Sequence, residues 1–230
     1  MTPLGYTHTP DDPRKRSCAQ CMLPKPPRAK HCSTCGRCVL AMDHHCMWLN
    51  TCVGWHNRKA FIQYLTWTLY LIAYVVGVCA LRAYPWYVLR TYHYTEAPAW
   101  HRDMDYRILR AQIPFVETLY LLIGIVILPL VALGLLILLY IQLSNVINGM
   151  TQLEAWETAQ ATSSAAKANS PVTPYFPYAS SSAYVNASRV LGSLPFLYPL
   201  HLFSTSSPGS GLSFPITPPP SESHQDMYAM

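Results

Sequence analysis

Two long uncharged runs dominate the pattern of apolar and polar positions. Ala60 to Leu81 carries no charged residue, and Thr118 to Ile147 is a second such run, rich in Leu, Ile and Val. Neither shows a polar stripe at helical spacing. At 1.5 Å per residue the first spans roughly 33 Å as a helix, enough for the hydrocarbon core of a bilayer. A pair of buried helices in a soluble core is the competing reading, but a chain of 230 residues cannot cover two such runs on every face. The pattern therefore predicts a membrane α-helical hairpin of two transmembrane helices, 60–81 and 118–147. Pro129 is expected to kink the second, which membrane helices tolerate better than soluble ones. Residues 82–117 between them are polar and hold five arginines. They are expected to form a lumenal or extracytosolic loop, with Pro85, Pro98 and Pro114 breaking any long helix. Tyr84, Trp86, Tyr87, Tyr92 and Tyr94 fit an aromatic belt at that interface.

The flanking segments differ in character. Residues 1–17 are polar and contain proline, which fits a disordered lead rather than a signal peptide. Residues 18–59 are rich in Cys and His. A membrane-proximal segment, 148–158, follows the second span and contains Thr151-Gln152-Leu153-Glu154. Residues 159–230 hold ten prolines and fifteen serines, a composition that predicts a disordered C-terminal tail. Within it, Val190 to Phe203 is apolar but broken by Pro195 and Pro199. It is too short to span and is expected to lie on the membrane or pack on the helices. Asn186-Ala187-Ser188 is a formal glycosylation sequon, unused if the tail is cytosolic. No internal repeat of solenoid length is visible.

Composition and charge sharpen this picture. Hydrophobic residues make up 51% and charged residues 12%, against about 25% charged in soluble domains. The net charge is +5, and nine of the sixteen Lys and Arg precede residue 60. That bias predicts a cytosolic N-terminus, although the five loop arginines oppose it. Two spans then put both termini and the Cys-rich segment on the cytosolic side. No recognition helix accompanies the basic residues, so no nucleic acid is expected as a partner.

Seven of the eight cysteines fall between Cys18 and Cys52; the eighth, Cys79, lies in the first apolar run and reads as a small apolar packing residue. The crowded block reads as a disulfide knot or a metal site, and a cytosolic location favours metal. Cys18 and Cys21 are followed, nine residues on, by His31-Cys32, then Cys35 and Cys38. Asp43-His44-His45-Cys46 and Cys52 complete the block. Cys-x2-Cys turns let two thiolates grip one zinc ion. Counting every Cys and His, there are ten candidate ligands. Two closed sites of four use eight and leave two. A leftover His beside a leftover Cys is the composition of an activated thiol nucleophile. Spacing alone does not say which pair is left over, and a spare thiol in a zinc-only binding module stays open.

Residues 18–64 resemble the cysteine-rich domain of the DHHC family of protein S-acyltransferases (palmitoyltransferases). The resemblance continues through Val53-Gly54 and Asn57 to Phe61, and is followed by a membrane span. It implies one zinc ion on Cys18, Cys21, His31 and Cys38, and another on Cys32, Cys35, His45 and Cys52, in a small irregular domain of short hairpins. It also implies Cys46 as nucleophile, His44 as its general base and Asp43 as the carboxylate that orients His44. A free thiol with a pKa near 8.5 is mostly protonated at cytosolic pH, so an adjacent imidazole has a proton to remove. Attack on palmitoyl-CoA or a similar long-chain acyl-CoA would give an acyl-Cys46 intermediate, from which substrate proteins with cytosolic cysteines take the chain. Membrane lipid completes the expected partners, since acyl chain and product both partition into the bilayer. An endomembrane, ER or Golgi, is expected rather than the plasma membrane.

Several residues carry two readings. Trp48 and Trp55 are interfacial anchors or core fillers, and Trp48 is also placed to touch an acyl chain. Arg58 and Lys59 are positive-inside flanks or CoA-phosphate contacts. Thr151 to Glu154 resembles the family's Thr-Thr-x-Glu motif, with Gln152 at the second Thr, or is an ordinary helix end. Asn145 and Asn148 share a helix face. The residue after the Asp-His-His-Cys string is Met47 where the family commonly has Pro, and the tail offers no clear match to the family's aromatic-Asn motif. Family members commonly carry two further spans ahead of the Cys-rich domain, four helices in all around an acyl cavity. Their absence before Cys18 reads as a truncated gene model, a shortened isoform or reliance on a helper subunit that supplies helices. The alternative function is a truncated, inactive or regulatory zinc module that binds protein partners at the membrane.

Overall fold

The computed structural model describes residues 16–91, 115–167, 178–192, 211, 212 and 214. The chain divides into two compact units, Met1–Gln63 with Tyr140–Met230, and Tyr64–Leu139.

The first unit begins with three antiparallel hairpins. Strands β1 (Arg16–Cys18) and β2 (Leu23–Lys25) form the first, β3 (Lys30–Cys32) and β4 (Arg37–Val39) the second, β5 (His44–Cys46) and β6 (Thr51–Val53) the third. They are one design used three times. Each has two three-residue strands around a four-residue turn, and their starts, Arg16, Lys30 and His44, lie fourteen residues apart. Every turn closes on a left-handed residue, Met22 (φ 52°), Gly36 (φ 61°) or Asn50 (φ 49°). The period is shorter than a solenoid repeat, and most side chains change between copies, which hides it from inspection for repeats. Strands this short have no independent stability.

Helix α1 (Arg58–Thr91) begins in this unit. Asn57 precedes it, accepting from the Gly54 amide at 2.8 Å and donating to the Cys52 carbonyl at 2.9 Å. The later part of the unit holds the end of α3 (Leu128–Ile147), α4 (Gln152–Lys167) and α5 (Ala183–Leu191). Gly149 stops α3: its φ of +69° suits glycine, and a Cβ there would meet Asn186 Oδ1 at 2.9 Å. The expectation of a disordered segment from 159 onward fails here at two places. Helix α4 runs to Lys167, and α5 carries an Asn186 that is buried. Asn186 donates to the carbonyls of Ile147 (2.9 Å) and Ser180 (2.8 Å) and accepts from the Ser180 amide (2.8 Å). Composition misses this because a few specific hydrogen bonds hold the segment, rather than bulk apolar burial. The same bonds leave the sequon asparagine with no free amide to modify. Most of Val190 to Phe203 lies outside the described residues.

The second unit carries most of the two apolar helices, and both are long and apolar enough to cross a membrane. Only 11% and 6% of their most apolar stretches is buried, which counts against the soluble-core reading. Helix α1 continues past Pro85 to Thr91, so the expected break is not there; the cost is one i→i−4 hydrogen bond, which an apolar helix tolerates. Arg82, expected in the loop, is helical and pairs with Glu117 at 2.7 Å. Before Pro129 the second helix is α2 (Phe115–Leu122) followed by a π-helical turn, Ile123–Ile127. Widening the turn relieves the clash of a proline ring with the carbonyl four residues earlier. Gly124 in that turn lies against Cys79, and a Cβ there would collide with the thiol. Thr66, Leu69, Tyr70, Val76, Leu133 and Leu136 are among the residues lining an apolar groove of about 740 Å³. Of the expected aromatic belt, Tyr84 is exposed; Tyr92, Tyr94 and the side chains of Trp86 and Tyr87 lie outside the described residues, as do Pro98 and Pro114.

Candidate active site and metal centres

The hairpin repeat places the candidate ligands. Hairpins two and three each carry a His directly opposite a Cys, His31 across from Cys38 and His45 across from Cys52. Successive strand residues face opposite sides, so β3 sends His31 one way and Cys32 the other. The Cys-x2-Cys pair of one hairpin meets the His and Cys of the next, which is why the two sets interleave in sequence. Cys18, Cys21, His31 and Cys38 form one group; Cys32, Cys35, His45 and Cys52 form the other. Each position in the second set is fourteen residues beyond its counterpart in the first.

The geometry fits a tetrahedral ion. In each group the ligand atoms lie within 4.8 Å of one another. His31 Nδ1 is 3.5 Å from Cys18 Sγ and 3.2 Å from Cys21 Sγ, and Cys38 Sγ is 3.8 Å from Cys21 Sγ. His45 Nδ1 is 3.7, 3.4 and 3.6 Å from Cys32, Cys35 and Cys52, with Cys35 and Cys52 3.5 Å apart. Zinc–sulfur bonds of 2.3 Å in a tetrahedron require edges of about 3.8 Å. Three sulfurs and one imidazole nitrogen make the closed donor set of a structural zinc site. Without a cation the thiols could not ionise together. The Cys21 backbone amide lowers Cys18 to about 6, against the opposing effect of burial, while burial and the neighbouring Cys18 and Cys21 push Cys38 up to about 12.

Cys46 belongs to neither group. It occupies the hairpin position that Cys18 and Cys32 hold in the first two copies, but the residue three further on is Leu49 rather than a cysteine. On β5 it shares a face with His44, while His45 between them turns to the metal group. Phe61 holds the His44 ring edge-on at 5.1 Å between centroids.

Asp43 is fully buried and saturated with donors. Its Oδ2 accepts from His44 Nδ1 at 2.7 Å and Gln142 Nε2 at 2.8 Å. Its Oδ1 accepts from the Gln152 amide at 2.8 Å and faces Arg58 Nη2 at 3.3 Å. That last contact is off-axis, an ion pair rather than a hydrogen bond; Arg58 Nε has no partner among the described residues. Burial raises the Asp43 pKa, but the His44 bond, the Arg58 charge and the Gln152 and Gln142 bonds outweigh it and hold the carboxyl below its ordinary value. An ionised Asp43 is an acceptor only, so His44 donates to it from Nδ1 and turns Nε2 away from the carboxylate.

Sequence reasoning missed most of the supports. Arg58, read as a membrane-edge charge, is buried and donates to the Met150 carbonyl at 2.8 Å. Thr151 and Glu154 form a reciprocal capping box at the start of α4, with the Thr151 amide donating to Glu154 at 2.8 Å and the Glu154 amide to Thr151 Oγ1 at 3.3 Å. Arg28 grips both Glu154 oxygens at 2.8 and 2.7 Å, and its guanidinium lies 4.8 Å from the Phe214 ring centroid. Trp55 packs on Phe214 at 5.2 Å, a core role, whereas Trp48 is 91% exposed. Gln142 and Arg28 gave no signal in the sequence, whereas Thr151 and Glu154 stood out through their resemblance to the family's Thr-Thr-x-Glu motif, with an ordinary helix end as the other reading.

Residues 11–159 match the family model described as DHHC palmitoyltransferase. Among curated proteins the chain is similar to palmitoyltransferase pfa3 of Emericella nidulans, 54% identical over 66 residues, 29% of this chain and 13% of that protein. It is 52% identical over 64 residues to palmitoyltransferase ZDHHC23-A of Danio rerio, 28% of this chain and 15% of that protein. With palmitoyltransferase PFA3 of Kluyveromyces lactis it shares 43% over 72 residues, 31% and 22% of the two chains. The match spans less than a quarter of each of these relatives.

Proposed function

The chain belongs to the DHHC palmitoyltransferase family, and from that premise we propose that it is a membrane protein S-acyltransferase working through an acyl-Cys46 intermediate. The observation that carries this reading is a buried Asp43 hydrogen-bonded to His44 on the strand of the one Cys-rich-domain thiol outside both metal groups. His44 Nε2 takes the Cys46 proton. The sulfur attacks the thioester carbon of a long-chain acyl-CoA such as palmitoyl-CoA, a new C–S bond forms, and the bond to the CoA sulfur breaks. The proton held by His44 passes to the departing CoA thiolate. A cysteine thiol of a substrate protein then repeats the exchange on acyl-Cys46. One thioester replaces another at each step, so no energy source is required.

Two zinc ions, on Cys18, Cys21, His31 and Cys38 and on Cys32, Cys35, His45 and Cys52, would supply structural stabilisation and no reacting group. The apolar groove between the two candidate spans offers surface for a long acyl chain. Acceptor cysteines and the Cys-rich domain are assigned to the cytosolic face of an endomembrane, with membrane lipid around the helices and a helper subunit adding helix surface to the groove.

Acyl loading tests the proposal. The full chain in membranes is supplied with alkyne-tagged palmitate and compared with Cys46→Ser. Hydroxylamine-labile label in the wild type, lost in Cys46→Ser with zinc near two per chain, is the expected result. Zinc loss in Cys46→Ser would make Cys46 a ligand. No label on a zinc-loaded wild type would move the assignment to a regulatory zinc module.

A further inference from the structure

Gln142 lies in a run of thirty residues without a charge, five residues before the end of α3. Polar side chains within such runs are costly and tend to be functional. Gln142 is completely buried. One of its amide protons goes to Asp43 Oδ2 at 2.8 Å and the other to Gln152 Oε1 at 3.2 Å, while its own Oε1 has no partner among the described residues. Both partners present acceptors, which sets the amide's orientation. A side chain chosen for stability alone would satisfy both of its ends, or be apolar. This one spends its donors on a carboxylate and leaves its acceptor bare.

We propose that Gln142 is a positioning residue for the thiol chemistry: it holds the Asp43 carboxylate in the orientation that keeps His44 aimed with Nε2 free. The proposal rests on the assignment of Asp43, His44 and Cys46 made above and extends that site into the second apolar helix. Asp43 Oδ2 receives both the His44 and the Gln142 bond. Losing the Gln142 donor frees the carboxylate to rotate about its terminal torsion, which is soft, and the imidazole turns with it. Gln142 touches no reacting atom.

The test reads Cys46 directly. The zinc-loaded full chain is treated with iodoacetamide, and alkylation of Cys46 is followed peptide by peptide, alongside acyl loading. Gln142→Leu is expected to slow both about tenfold, less than loss of the general base itself, with zinc still near two per chain. In an Asp43→Asn background Gln142→Leu should bring no further loss, because its effect passes through the carboxylate. Gln142→His, which keeps a ring N–H donor, should recover most of the rate, and remains informative if the leucine variant fails to fold. An unchanged alkylation rate in Gln142→Leu, or the same added loss in the Asp43→Asn background, overturns the proposal. If the wild type never loads acyl chain while alkylation still depends on Gln142 and Asp43 in this coupled way, the acyltransferase reading fails and the positioning role stands.

Discussion

Asp43 is held from four stretches of chain, by hydrogen bonds from its neighbour His44, from Gln142 near the end of α3 and from the Gln152 amide that opens α4, and by an ion pair with Arg58 at the start of α1. Replacing its charge should therefore cost more than one hydrogen bond. Asp43→Asn takes from buried Arg58 its nearest counter-charge, leaving Glu154 as the remaining one, a loss on the order of 3 kcal/mol. The pH dependence follows from the lowered pKa. A carboxyl depressed below its unfolded value of 3.8 contributes stability that is fully present above that value and fades as pH falls through the lower, folded one. Thermal melts of zinc-loaded wild type and Asp43→Asn should differ by a constant margin from pH 8 to pH 5. A margin already shrinking between pH 7 and pH 5 would place the titration elsewhere. Short, regular spacing made ten candidate ligands legible in the sequence, and the family resemblance, not the spacing, singled out the eight that the structure gathers into two groups. Gln142 and Arg58 were not legible in their roles, because their partner is remote: Gln142 is 99 positions from Asp43, and no local pattern encodes that distance.

At the scale of elements, the three hairpins and α4 depend on each other. Helix α4 is capped by its own Thr151 and Glu154, and Glu154 is then held by Arg28 from the segment between β2 and β3, with both side chains 8% exposed. Glu154→Ala removes the cap and takes from buried Arg28 its carboxylate partner, leaving the Gly149 carbonyl as its acceptor among the bonds described. It should cost about 3–5 kcal/mol, read as an earlier urea midpoint for the Cys-rich unit. Lys30→Ala is the control: its pair with Glu157 is half exposed and should contribute under about 1 kcal/mol. The apolar helices were legible from their uncharged runs. Their details were not: Pro85 sits inside α1, and a π turn precedes Pro129. Rules for proline drawn from helices in water overstate its power to end a helix that has no solvent to turn to.

The whole molecule joins a metal-organised unit to an apolar helix pair, and the two should respond differently to zinc removal. Three-residue strands around closed ligand sets have little else to hold them, so ligation free energy is folding free energy there. A strong chelator should abolish protection of the hairpin amides and of Asp43's neighbours in hydrogen exchange. The backbone bonds of α1 and α3 within Tyr64–Leu139 are satisfied inside each helix and should stay protected. Parallel loss of protection in both would show that the helices lean on the metal unit for their own structure.

The fourteen-residue step also bears on why the Cys46 sulfur stays outside both metal groups. Cys46 stands in the place that serves as a ligand twice before, at Cys18 and Cys32, and Leu49 stands where Cys21 and Cys35 complete the grip. Cys46 is in effect a ligand position without its companion. The third hairpin inherits a backbone shaped to present sulfur, and the missing companion keeps that sulfur from capture. Nor does a further hairpin follow, among the described residues, to bring a His and a Cys against it, so the sulfur proposed to carry acyl chains lacks both a companion thiol and the facing pair that complete each metal group.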